Sequence, residues 1–134
     1  MTPFFRLASF SFLFSLPLMA QADPPESFWR ALHLVETSGR TGPILGDGGR
    51  ALGPLQIHRN YHKDSKIAGD YSLCSDLAYS RRVVSAYLKH YAPTAWRNGD
   101  VHTLARVHNG GPNGARKRAT LIYAAKVRRL SHRP

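Results

Sequence analysis

The sequence is poor in cysteine, in carboxylates and, past its first residues, in long apolar runs. Cys74 is the only cysteine among 134 residues, so no disulfide can form within the chain. The fold must therefore be held by packing alone. A lone thiol can be a nucleophile or a link between two copies. The ordinary reading is a small buried side chain on a helix. Asp and Glu number 8 against 19 Lys and Arg. Only Glu26 and Glu36 are glutamates. No apolar stretch after Leu18 approaches the roughly 20 residues that span a bilayer. His58 and His62 stand four apart, a spacing that can bind metal on a helix, but no third ligand of suitable type lies nearby. Gly46, Gly48 and Gly49 lack the spacing of a dinucleotide-binding turn, and no phosphate-binding glycine motif occurs elsewhere. Neither a metal nor an organic cofactor is expected.

The N-terminus reads as an export signal over residues 1–22. Arg6 is its one charge, Leu7 to Leu18 is apolar, and Ala20-Gln21-Ala22 has small residues where a signal peptidase reads them. Residues 23–134 would then form one catalytic domain, exported to the periplasm or beyond the cell. Its formal charge is +10, because 18 basic residues remain against all 8 acids once Arg6 is removed. Such a charge attracts anionic polymers, including acidic envelope polymers. Export argues against nucleic acid as the partner. No transmembrane segment is expected in the mature chain.

The mature region reads as mainly helical. Asp23 can cap a first helix opened by Pro24 and Pro25, with Phe28, Leu32 and Val35 on one face and Gly39 at the end. Arg40 to Gly53 holds five glycines and a proline, which predicts a compact turn or short β-hairpin with Gly46 to Gly49 at its tip. Pro54 to Ile57 can start another short helix, and Lys63 to Tyr71 reads as a surface loop. Leu73, Leu77, Val84, Leu88 and Tyr91 fall on one helical face that Pro93 ends. Asp100 can cap the next helix. Asn109 to Gly114 is a turn, and Arg116 to Leu130 is a final helix burying Ile122, Tyr123, Val127 and Leu130.

Glu36 is the residue best placed for chemistry. It falls in the last turn of a helix, where the macrodipole favours cations, so helix stability does not explain an acid there. Burial at such a place favours the neutral carboxyl. A protonated carboxyl beside a glycosidic oxygen is what sugar cleavage requires. From position alone, an exposed helix residue is an equal reading. Asp47, in an Asp-Gly turn, is open to both a catalytic and an ordinary turn role.

The surrounding motifs carry a resemblance. Glu36-Thr37-Ser38-Gly39, then Asp47, then Gly53-Pro54-Leu55-Gln56-Ile57, then His108-Asn109-Gly110-Gly111-Pro112 occur in that order. This series resembles the invertebrate-type (destabilase-type) lysozymes, within the lysozyme superfamily, over roughly Ala31 to Leu130. Animal members are disulfide-rich, so the single cysteine points to the bacterial branch. Leu55 stands where the family has an aromatic residue, and Thr37 where it has Ser.

The resemblance implies a small lysozyme-like helical domain with a β-hairpin or turn region beside an active-site cleft. It implies a glycosidase acting on peptidoglycan glycan strands, cutting β-1,4 bonds between N-acetylmuramic acid and N-acetylglucosamine. Glu36 would be the general acid and Asp47 the second carboxylate. Gln56 and Ile57 would line the cleft floor, facing the turn residues His108, Asn109 and Gly110. Gln56 can instead be a buried capping amide, and Asn109 a helix cap. Three other functions stay open: a lytic transglycosylase using Glu36 alone, an isopeptidase with Ser38 as nucleophile, and a non-enzymatic basic protein that binds the envelope.

Overall fold

A computed structural model describes residues 23–134; the export-signal reading of residues 1–22 lies outside them. The described residues hold six α-helices and one small three-stranded sheet. Helix α1 (Glu26–Thr37) buries Phe28, Trp29, Ala31 and Leu32. Its N-cap is Pro25, with no side-chain cap, so Asp23 does not serve as expected. Proline at that point supplies the extended backbone, and Glu26 supplies a negative charge to the first turn.

The glycine-rich segment forms the predicted hairpin. Strand β1 (Leu45–Gly46) pairs antiparallel with β2 (Ala51–Leu52), and Asp47–Gly49 make a 3-10 turn between them. The Pro54 to Ile57 stretch is not a helix start. Gln56 takes a left-handed φ of 50°, which turns the chain into β3 (Ile57–His58), paired antiparallel with β2. Helix α2 (Arg59–Ser65) follows directly, occupying part of the expected loop.

The central helix α3 runs Leu77–Tyr91. Asp76 caps it by accepting from the Tyr79 amide at 2.7 Å, so Leu73 falls outside, in a 3-10 segment Tyr71–Ser75. Pro93 ends α3 and also opens a short helix α4 (Pro93–Asn98), where its missing N–H costs nothing. Asp100 caps α5 (Val101–Gly110), as its position predicts, accepting from the Thr103 amide at 3.0 Å. The final helix α6 (Leu121–Ser131) buries Ala124 and Val127 and packs on α1 and α5. Ile122 is 72% exposed, contrary to the expected burial, while Tyr123 and Leu130 pack against the core from its edge.

The core runs from Phe28 and Leu32 through Leu55, Ile57, Val83, Val84 and Leu88 to Trp96 and Leu104. Cys74 is fully buried within it, on a 3-10 turn. Burial pushes its thiol up to about 11, which leaves it unreactive near neutral pH. No described helix is long and apolar enough to cross a membrane.

Candidate active-site cleft

The C-terminal end of α1 sets one wall of the cleft. The helix closes with Ser38 in a left-handed conformation, its amide bonding Leu34 O, while the Gly39 amide bonds His33 O. Thr37, nearly buried, sends its hydroxyl to Pro54 O at 3.0 Å. That bond ties the helix end to the turn after β2. Glu36, one residue earlier, points its carboxyl into a cavity of about 590 Å³.

The hairpin sets the opposite wall. Asp47 sits at its tip with a left-handed φ of 50°, and its side chain is 45% exposed. Oδ1 accepts from Arg50 at 2.7 Å, and Oδ2 lies 3.2 Å from Nε2 of His58. Glu36 sits in a more enclosed setting. Its side chain is 17% exposed, and Oε1 accepts the Tyr123 hydroxyl at 2.5 Å. Nε2 of His108 lies 3.3 Å from the same oxygen. One acid is thus packed among aromatic and imidazole groups, and the other stands in a polar, solvent-facing turn. Such a contrast of environments separates the roles of two carboxyls in sugar cleavage.

The remaining expected residues divide. His108 and Asn109, from the last turn of α5, both line the cavity. Asn109 is exposed, and its amide bonds no protein group among the described residues. Gln56 lines it too, but its Nε2 donates to Ile44 O at 3.2 Å and Gly53 O at 3.0 Å. The capping reading of that amide therefore holds for its nitrogen. Ile57 does not reach the cleft: it is 1% exposed, pairs with Leu52 and belongs to the core. Strand alternation sends its neighbour His58 outward instead. Gly110 is also absent from the lining. A Cβ there would meet Thr120 Cγ2 at 2.5 Å, so this glycine serves packing, and Gly111 lines the cavity in its place. His58 and His62 do not share a site: His58 turns to Asp47, and His62 bonds Tyr79 at 2.8 Å. Among the described residues no group of three or more metal-ligating side chains exists.

Three contributors went unread in the sequence. Tyr123 appeared only as a core residue, His58 only as a weak metal ligand, and Tyr61 not at all. Tyr61 on α2 stacks on Tyr87, with centroids 3.6 Å apart, and its hydroxyl meets His108 Nδ1 at 2.9 Å. Burial, then Tyr87 and the Glu36 charge, holds the Tyr61 hydroxyl well above the usual range. Burial, then the charge of Glu36 and the bond to it, does the same for Tyr123. Both phenols therefore remain protonated hydroxyls.

A larger hollow of about 1040 Å³ lies between the start of α1 and the α3 helix. It holds no comparable arrangement, because Arg81 is spent on Glu26 through two bonds of 2.8 and 2.7 Å.

No family model matches the chain. Individual proteins do. Over 79 residues the chain is 35% identical to a lysozyme of Magallana gigas, a stretch equal to 58% of either protein. The chain thus spans less than two thirds of that relative's length. Over 91 residues it is 37% identical to an invertebrate-type lysozyme of Ruditapes philippinarum, covering 64% of this chain and 67% of that one. The crystal structure of Tapes japonica lysozyme superposes with a TM-score of 0.68 at 29% identity, over 79% of this chain and 89% of that one.

Proposed function

The chain belongs to the invertebrate-type lysozyme family, and from that premise we propose that it hydrolyses peptidoglycan glycan strands at the β-1,4 bond between N-acetylmuramic acid and N-acetylglucosamine. The observation that carries the reading is the pairing of Glu36 and Asp47 across one cavity, in opposite environments. Glu36 gives its proton to the glycosidic oxygen as the bond to the anomeric carbon breaks, and water then forms the new bond to that carbon, its released proton restoring the acid. Asp47, oriented by Arg50 and His58, faces the positive charge that develops on the sugar. Asn109, with its free amide, and the Oε1 of Gln56 are the groups we assign to substrate hydroxyl or N-acetyl contacts.

Residues 1–22 are the export signal in this reading, and the mature chain acts in the periplasm or outside the cell. The single cysteine supports the bacterial branch of the family. The net positive charge suits a substrate embedded among anionic envelope polymers.

Mass analysis of fragments released from purified peptidoglycan tests the proposal. Reducing ends that disappear in both Glu36→Gln and Asp47→Asn support a two-carboxylate hydrolase. Anhydro ends lost only with Glu36 would replace it with a transglycosylase. Crosslink cleavage that survives Glu36→Gln would move the function to the isopeptidase reading.

A further inference from the structure

We propose that Tyr123, backed by the His108–Tyr61 pair, is a positioning residue that confines the proton of Glu36 to Oε2, the carboxyl oxygen left for substrate. The inference rests on the reading of Glu36 as the acid and adds what selects its reactive oxygen.

The two oxygens of Glu36 are not equivalent. Oε1 receives the Tyr123 hydroxyl at 2.5 Å and has His108 Nε2 at 3.3 Å. Oε2 bonds no protein group among the described residues and belongs to the carboxyl that lines the cavity. Tyr123 has no other hydrogen-bond partner among them, so a hydroxyl turned away from Oε1 would leave its hydrogen without a protein partner. A buried polar group without a partner costs about 1–3 kcal/mol. If Glu36 carried its proton on Oε1, the Tyr123 oxygen would have to accept it and turn its own hydrogen away, where no protein partner stands among the described residues. The proton therefore belongs on Oε2.

The histidine adds a second constraint of the same sign. Tyr61 has one hydrogen-bond partner among the described residues, His108 Nδ1. With the Tyr61 hydroxyl as donor, Nδ1 accepts and the hydrogen of a neutral imidazole lies on Nε2. Nε2 lies 3.3 Å from Oε1, not aligned for a hydrogen bond, and sets the positive edge of the ring beside that oxygen rather than beside Oε2. The stack of Tyr61 on Tyr87 and the edge contact of Tyr61 with the His108 ring hold the relay in place. The titratable groups around Glu36 are thus Tyr123 from α6, His108 from α5 and Tyr61 from α2, with Asp47 and His58 across the cavity.

The geometry makes a directional forecast. Removing the Tyr123 hydroxyl takes from Oε1 a hydrogen bond that favours the charged form of the carboxyl. The test is carboxyl carbon-13 NMR titration of Glu36 in the full protein, beside the pH profile of glycan cleavage. In Tyr123→Phe we expect the Glu36 titration and the alkaline limb to rise together, with kcat about tenfold lower and KM little changed. Tyr61→Phe, which leaves the bond to Glu36 in place, should lower kcat less and broaden the His108 tautomer population seen by nitrogen-15 NMR. Unchanged titration and limb in folded Tyr123→Phe would overturn the proposal. Should Tyr123→Phe fail to fold, an unaltered His108 tautomer in Tyr61→Phe would overturn it as well. A shifted NMR titration in a protein that cuts no glycan would leave the proton placement standing and remove the glycosidase reading instead.

Discussion

Gly46 and Gln56 show how tightly the hairpin wall is specified by single residues. A Cβ at position 46 would stand 1.7 Å from Gln56 Oε1, and the Gln56 amide is anchored on Ile44 O and Gly53 O. Gln56 itself holds a left-handed φ that only the surrounding bonds sustain. Gly46→Ala should therefore destabilise the protein by roughly 1–3 kcal/mol, the usual cost of overpacking. Urea unfolding of the variant checks this, and a midpoint equal to wild type would show that Gln56 can move aside. Glu36→Gln is the complementary case: cleavage should fall by about 100-fold or more with loss of a general acid, while the urea midpoint stays close to wild type. Circular dichroism and muropeptide release, read on the same sample, separate the two effects.

At the scale of elements, the Thr37 hydroxyl links the end of α1 to the turn after β2, within reach also of His33 O and Arg40 O. Thr37 donates to Pro54 O and is nearly buried, so replacing it with an isosteric apolar residue leaves that carbonyl without its bond. Thr37→Val should cost about 1–3 kcal/mol, the penalty for an unsatisfied buried group. It should also lower kcat, because Glu36 is the neighbouring residue and its distance to the Asp47 wall depends on this tie. A loss of stability with full kcat would assign Thr37 to the fold alone. The helices that bear these walls were legible from apolar period, and Asp100 from its capping position. The Pro54 to Ile57 turn was not. Its left-handed Gln56 is imposed by bonds to residues 12 and 3 positions earlier, which no local propensity encodes. Likewise Asp76, rather than any residue before Leu73, starts α3, because its carboxylate captures the Tyr79 amide.

Across the whole molecule, the core holds together without a crosslink, and its one thiol is inside it. Cys74 should not react with an aromatic disulfide reagent at neutral pH until the protein unfolds, and fast labelling of native protein would contradict its burial. The same burial has a pH consequence. Burial pushes the folded thiol up to about 11, above its ordinary value of 9.0. Between those values the unfolded chain sheds a proton that the folded one keeps, so stability is lost as pH rises through that window and is fully present below it. Tyr87, raised to about 12, extends the loss further into alkali. Thermal melts from pH 8 to 11 should show a falling midpoint, and Cys74→Ala should flatten the first part of that fall.

The sequence by itself determined the helical class, the glycine-rich hairpin, the ordered motifs that carry Glu36 and Asp47, and the turn that begins at His108 and Asn109. These depend on neighbours within a few residues, through period, capping and turn chemistry. It misassigned Ile57, because the twofold alternation of a two-residue strand was not visible before the strand existed, and Gly110, whose role is to let Thr120 approach. Only the tertiary structure decided which groups surround the acid. Tyr123 lies 87 residues from Glu36, and Tyr61 lies 47 from His108. Contacts at such separations arise from the packing of α6 on α1 and of the Tyr61 ring on α3, and they set the surroundings of the Glu36 carboxyl that its local motif leaves open.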